Sequence, residues 1–237
     1  MPPVADPLPS QYVELAELAG GFIHEIKNHL STLGLNLQLL AEDFGEPDNQ
    51  KERRALDRVR RLQGECDRLV EVSNDFLRFA HLRDLDLRPI CLRTVIEEMV
   101  DFAGPTARQA NVEIATYLPA DLPAVALDVD LFKQALLNLM LNAEQAMPQG
   151  GELIVQACAE DGGVRLDLID TGMGMTAEQR EKVFQPFYTT KPGGNGLGLP
   201  TTRKIIEAHH GTIDVQSEAG RGTKFTIRLP AYQKDEG

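Results

Sequence analysis

The chain is 237 residues long, 42% hydrophobic, and carries a formal net charge of -12. That length supports a sizeable core in one or two domains, and an acidic chain with no basic patch argues against nucleic acid as a partner. A nucleotide ligand stays open, because phosphates are held by local groups and backbone N–H donors. Cys66, Cys91 and Cys158 are scattered, odd in number and without metal-ligand spacing, which predicts a reduced, cytoplasmic setting. The first residues, MPPVADPLPSQY, carry neither a basic nor an apolar leader region. No stretch approaches the roughly 20 apolar residues of a membrane span, so a soluble protein is expected.

In chain order, residues 1–10 are proline-rich and predicted to be disordered. Leu15, Ala19, Phe22, Ile26, Leu30, Leu33, Leu37, Leu40 and Phe44 then step by three or four, the mark of a long helix with one apolar seam. GEPDNQ (45–50) interrupts it, and Leu56, Val59, Leu62, Cys66, Leu69, Ser73, Phe76 and Ala80 repeat the pattern. Two long helices joined by a short turn make an antiparallel hairpin over 11–83. A lone hairpin cannot cover its seam from both sides, so pairing into a four-helix bundle, a homodimer, is expected.

Composition shifts near residue 83, and 84–237 alternates strands and helices. LDLRPI, NVEIATYL, AVALD, GELIVQACA, VRLDLID, TIDVQSE and TKFTIRL read as strands. Leu92–Phe102, Val129–Met147, Ala177–Phe184 and Leu199–His209 read as helices. The whole is α+β: a helical hairpin followed by an α/β sandwich.

Four stretches of the second part carry chemistry. In LLNLMLNAEQAM (136–147), Asn138 and Asn142 lie four apart on an apolar helix, and a carboxamide oxygen is a hard donor suited to Mg²⁺. The same spacing also serves two asparagines that merely bridge neighbours. DTGMGM (170–175) sets Asp170 at a strand end before Gly172 and Gly174, where backbone and carboxylate can approach a ligand together. KPGGNGLGLP (191–200) opens a helix, and a glycine-rich loop before a helix N-terminus suits phosphates. GRGTKFTIRLP (220–230) is a glycine-rich turn into a strand.

Taken together, in this order, the four stretches resemble the catalytic ATP-binding domain of sensor histidine kinases, of the Bergerat ATPase type. The lid would be VFQPFYTTK, with Phe184 and Phe187, and FIHEIKNHL (22–30) resembles the family's phosphoacceptor box. The likeness runs over roughly residues 12–231. It implies a histidine kinase that autophosphorylates with ATP and Mg²⁺ and passes the phosphoryl group to an aspartate of a response-regulator receiver domain. His24 would attack the γ-phosphate, Glu25 would accept a hydrogen from the imidazole, and Asn28 would orient a water for phosphatase activity. Asp170 would bond the adenine amino group, and Asn142 would hold the metal, with Asn138 close by. Gly172, Gly174, Gly194, Gly196 and Gly198 would leave the nucleotide room. Lys191 would be either a phosphate contact or a solvated lysine, and Thr223 either an adenine-pocket or a core residue. His24 lies ~200° around the helix from Phe22, off the seam, as a nucleophile serving two macromolecular surfaces must. The remaining histidines, His81, His209 and His210, read as structural.

Two features depart from the family. Its usual proline after the phosphoacceptor box is His29 here, which restores a backbone N–H, stiffens the helix and offers a second acceptor. No sensor or receiver pattern is present, so input is expected from a separate sensor protein, from direct binding to the hairpin, or from a segment outside this chain. The rival readings are a gyrase- or MutL-type ATPase, an anti-sigma-type serine kinase and an ATP-binding scaffold. The ATPase class places a carboxylate one turn before the metal-binding Asn, and Asn138 is an amide that cannot act as general base. The serine kinases lack a histidine-bearing hairpin.

Overall fold

The computed structural model describes residues 10–44, 47, 49–80, 85–160, 162–191 and 194–233. Of residues 1–10, expected to be disordered, 1–9 lie outside them and Ser10 begins a helix; the role of His81 and the side chains of Phe22 and His24 lie outside them as well. The chain divides into two compact units, residues 1–81 and 82–237.

In the first unit, α1 (Ser10–Asp43) and α2 (Gln50–Ala80) pack on each other. Asn49 starts α2: its Oδ1 accepts from the N–H groups of Lys51 and Glu52, both at 3.0 Å, filling donors that the first turn leaves free. Leu56, Val59, Ser73 and Phe79 are the buried residues of α2 among those described. Leu33, Leu35, Leu39, Leu40, Leu62 and Leu69 stay 44–57% exposed, so one hairpin leaves much of its apolar surface in water. No helix among the described residues is long and apolar enough to cross a membrane.

In the second unit, β2 (Val112–Tyr117), β4 (Gly151–Glu160), β5 (Gly163–Asp170), β6 (Thr212–Glu218) and β7 (Gly222–Pro230) form a sheet in the order β2-β4-β5-β7-β6. Only β2 and β4 are parallel. β1 (Arg88–Ile90) and β3 (Val125–Leu127) make a separate antiparallel pair. The helices α3 (Leu92–Gln109), α4 (Val129–Ala146) and α6 (Gly198–Ala208) pack with the sheet around a core that includes Ile96, Phe132, Leu139, Leu166, Ile205 and Ile227. The strands alternate as half-buried strands should. Leu153, Val155, Leu166, Leu168, Phe225 and Ile227 enter the core, while Gln156, Arg165, Asp167, Lys224, Thr226 and Arg228 form a polar network. Burial tends to raise the pKa of Asp167, but hydrogen bonds from Gln156, Thr226 and Lys224 outweigh it and hold the carboxyl below its usual value.

Two helix ends differ from the periodicity by more than one residue. α3 runs on through Pro105 to Gln109, not to Phe102. The residue before the proline is Gly104, with no Cβ for the pyrrolidine ring to strike, and the buried face continues at Ala107. α5 (Ala177–Lys182) stops before Phe184. Its capping box, Thr176 with Gln179, fixes the start, and Pro186 disfavours helix at Gln185. Phe184 turns onto Phe225 edge-to-face, with ring centroids 6.4 Å apart, and lies 5.5 Å beneath the Arg203 guanidinium.

His209 ties two helices together. Its Nε2 accepts from the Asp128 N–H (3.0 Å) and its Nδ1 donates to Ile205 O (2.7 Å), joining the end of α6 to the start of α4. The Asp128 carboxylate caps α4 through the Leu131 N–H at 3.2 Å. α4 and α6, which bear Asn138, Asn142 and the glycine-rich start, are thus braced against each other at this end.

Candidate nucleotide site

β5 ends in Asp170, which is 5% exposed. One oxygen, Oδ1, accepts from the N–H of Gly172 (2.9 Å) and of Thr223 (3.1 Å), its partner across the β5–β7 ladder. No described group is bonded to Oδ2. Burial raises the pKa of this carboxyl above its ordinary value, while the two backbone bonds and the charge of Lys191 pull the other way. Thr223 therefore acts first through its backbone. Its hydroxyl pairs with Ser217 Oγ at 3.0 Å, and Ser217 Oγ also accepts from the Met175 N–H at 2.8 Å. Ser217, hidden in the β6 alternation, joins the Asp170 turn to the sheet edge, and sequence reasoning missed it.

The α4 asparagines form a chain of amides. Asn138 Nδ2 donates to Thr202 Oγ1 of α6 at 2.7 Å, and Asn138 Oδ1 accepts from Asn142 Nδ2 at 3.4 Å. This order turns Asn142 Oδ1 outward, where it accepts from Lys191 Nζ at 2.5 Å. The same ammonium donates to Gln145 Oε1 at 2.6 Å. Burial lowers the Lys191 pKa from its ordinary value, with the charge of Asp170 opposing. Asn138 is thus committed to holding α6, and Gln145, one turn beyond Asn142, is a further polar member. Its spacing was visible in NAEQ, but its partner, 46 residues on, was not.

The glycines serve the protein's own packing. A Cβ on Gly198 would meet Asn138 Oδ1 at 2.5 Å, and one on Gly172 would meet Ala146 O at 2.6 Å. Gly174 adopts φ +62, and a Cβ there would fall on Glu218 O. Gly194 and Gly196 are crowded by Thr189 and by Phe187 and Tyr188. They let the strand-end turn, α4 and the start of α6 approach closely. α6 begins at Gly198 with no side chain capping it, so its first turn presents backbone N–H groups. Phe187 lies 61% exposed at φ +66, with its N–H donating to Gly196 O at 3.0 Å.

In the first unit, His24, Glu25, Asn28 and His29 all fall within α1. Glu25, Asn28 and His29 are exposed. Asn28 O accepts from Thr32 Oγ1 at 3.0 Å and Lys27 O from Ser31 Oγ at 2.9 Å, local bonds that leave the helix continuous through His29. Among the described residues no cluster of three His, Cys, Asp or Glu side chains could hold a metal ion, so carboxamide oxygens are the candidate donors. Asn142 Oδ1 and Gln145 Oε1 are two such oxygens, and both accept from the Lys191 ammonium.

A buried carboxylate at a strand end, paired asparagines on the facing helix and a glycine-rich helix start define an ATP-binding domain. Residues 127–233 match the family described as histidine kinase-, DNA gyrase B-, and HSP90-like ATPase. The chain is 36% identical over 219 residues to the sensor histidine kinase ZraS of Escherichia coli (strain K12), covering 92% of this chain and 46% of ZraS. Full-length ShkA in complex with AMPPNP superposes with a TM-score of 0.74 at 28% identity, over 92% of this chain and 46% of ShkA. Histidine kinase ThkA, in complex with the response regulator protein TrrA, gives 0.66 at 25% identity, over 94% of this chain and 64% of that one. By these matches the chain is similar to sensor histidine kinases over more than nine-tenths of its own length. It spans about half the length of the curated ZraS relatives it matches.

Proposed function

We propose that this chain is an ATP-dependent protein histidine kinase, with a dimerisation and phosphotransfer hairpin over 11–83 and a catalytic ATP-binding domain over 84–237. The observation that carries the reading is a nucleotide site and an HExxN helix in one chain. His24 is the nucleophile. Its nitrogen lone pair forms the bond to the γ-phosphorus, the bond to the β,γ-bridging oxygen breaks, and ADP leaves with that electron pair. Glu25 accepts the imidazole proton, which keeps the attacking nitrogen's lone pair available.

On the nucleotide side, Asp170 Oδ2 accepts from the adenine amino group, since Oδ1 is already engaged by two backbone donors. Thr223 and Ser217 hold that turn, and Asn138 holds the start of α6, where the N–H groups of the first turn receive phosphate oxygens. Asn142 Oδ1, with Gln145 beside it, is the donor for Mg²⁺, which supplies charge neutralisation of the phosphates when bound. The fit rests on the Lys191 ammonium that this oxygen already accepts. Incubation with γ-labelled ATP and Mg²⁺ tests the reading: the protein-bound label should be acid-labile and alkali-stable, as a phosphoramidate is. Label that survives acid would point to a hydroxyl acceptor instead.

The phosphoryl group passes from His24 to an aspartate of a response-regulator receiver domain, a partner class supported by the complex of ThkA with TrrA. Asn28 shares the His24 face and holds a water against the receiver's phosphoaspartate, since a carboxamide both donates and accepts. Asn28→Ala should keep most autophosphorylation and lose most phosphatase activity toward the cognate receiver, whereas Glu25→Ala should lose autophosphorylation. Paired assays of both activities decide this. Equal loss of both in Asn28→Ala would mean that Asn28 only supports the helix.

The hairpin also dimerises. Six leucines more than two-fifths exposed support this, because burying one such side chain contributes about 1.5–3 kcal/mol. Sedimentation equilibrium should give twice the chain mass, and Leu62→Glu should shift it toward one. A wild-type chain sedimenting at the single-chain mass rules the dimer out.

A further inference from the structure

Lys191 seats its ammonium between Asn142 Oδ1 and Gln145 Oε1. Those oxygens come from successive turns of α4, and Lys191 reaches them from the far end of the segment that follows α5. Asn142 is held with its oxygen outward by Asn138, itself fixed by Thr202. The donor pair is thus built into α4 and α6, while the cation arrives from elsewhere in the chain.

An ammonium and a divalent cation cannot share these oxygens. Mg²⁺ needs its oxygen donors at about 2.0–2.1 Å in a near-octahedral set, and an ammonium donating to the same oxygen fills that approach. Their like charges would also repel at this distance. Lysine is a compact charge on a flexible stem, able to move from one acceptor to another nearby without disturbing the backbone.

We propose that Lys191 is an internal stand-in for the divalent cation: its ammonium and Mg²⁺ exchange at the Asn142–Gln145 donor pair. The inference rests on the nucleotide-site reading above and deepens it. With the ammonium seated, the triphosphate meets one positive charge supplied by the protein, so nucleotide binds without added metal. When the metal arrives with the nucleotide, Lys191 gives up Asn142, and its contribution to binding is replaced rather than added. Gln145 is a positioning residue for the ammonium.

The test is the affinity of a fluorescent ATP analogue, titrated once in EDTA and once in saturating Mg²⁺, with no phosphoryl transfer required. Lys191→Met should weaken binding in EDTA about tenfold, the factor that one charge-assisted hydrogen bond supports. In Mg²⁺ the same variant should bind as tightly as wild type or more tightly, because the competitor is gone. Gln145→Leu, which removes the second acceptor of the ammonium, should weaken binding in EDTA in the same sense as Lys191→Met but by less. Equal weakening of Lys191→Met in both buffers would make Lys191 an ordinary phosphate contact and overturn the exchange. Unchanged affinity in both would make it a surface lysine and overturn it as well. Failure of wild type to bind the analogue in either buffer would sink the nucleotide site and the exchange together, whereas absence of labelled histidine would leave this result standing.

Discussion

His24→Gln is expected to abolish acid-labile labelling from γ-labelled ATP, with nucleotide affinity unchanged. The glutamine side chain is polar and of similar reach, so α1 should persist, since Gln is at least as good a helix former as His. What disappears is the one nitrogen lone pair positioned one residue before Glu25. The nucleotide groups lie in the other compact unit, on α4, β5, β7 and α6, and none is altered by a change in α1. Phosphorylation should therefore drop to background while a fluorescent ATP analogue binds as before. His29 makes the experiment sharper. It stands in the same helix, exposed, where the family carries proline. If acid-labile label persists in His24→Gln and vanishes only in His24→Gln with His29→Gln, the acceptor is His29.

The hairpin, strands and helices were legible because each rests on a local period. Leucine steps of three and four marked α1 and α2, and two-residue alternation marked β4, β5 and β7. The break at 45–50 was readable from its turn residues, and Asn49 turned out to cap α2. Two helix ends lie near prolines whose effect depends on their neighbours. At α3 the glycine before Pro105 removes the steric conflict that normally ends a helix, and at α5 Pro186 ends it earlier than the apolar residues suggest. The glycines were found by spacing, and the close contacts that require them were not. A pattern shows that a side chain is forbidden, not what forbids it, and here Asn138, Ala146 and Glu218 do so. Least legible were pairings across long separations. Nothing local to Lys191 indicates Asn142 and Gln145, 49 and 46 residues away, and nothing in α4 indicates Thr202. Such contacts exist only once β5, α4 and α6 are assembled.

Asp170→Asn should invert the base preference of the site while leaving the fold intact. Oδ1 of Asp170 accepts from the N–H groups of Gly172 and Thr223, and asparagine keeps an oxygen that can do the same. The change falls on the second position, where an acceptor becomes an N–H₂ donor. Facing the amino group of adenine, that donor loses a bond and opposes another donor. Losing a hydrogen bond to a charged group costs on the order of 1.5–3 kcal/mol, so ATP affinity should fall tenfold or more. Inosine triphosphate carries oxygen where ATP carries the amino group, and the new donor should bind it better than wild type does. Competition of ATP and ITP against a fluorescent analogue reads both numbers. An ATP-to-ITP ratio equal in the variant and wild type would remove Asp170 from base recognition. The pH dependence follows from the same geometry. Burial raises the Asp170 pKa, so its ionised form opposes folding and acidification through that value relieves the fold. Only the ionised carboxylate has Oδ2 free to accept, so acidification costs nucleotide affinity. Wild-type affinity for ATP should therefore decline on acidification at a higher pH than an ordinary aspartate would set, with no matching loss of stability from this group. In Asp170→Asn, where nothing at this position titrates, that decline should be absent.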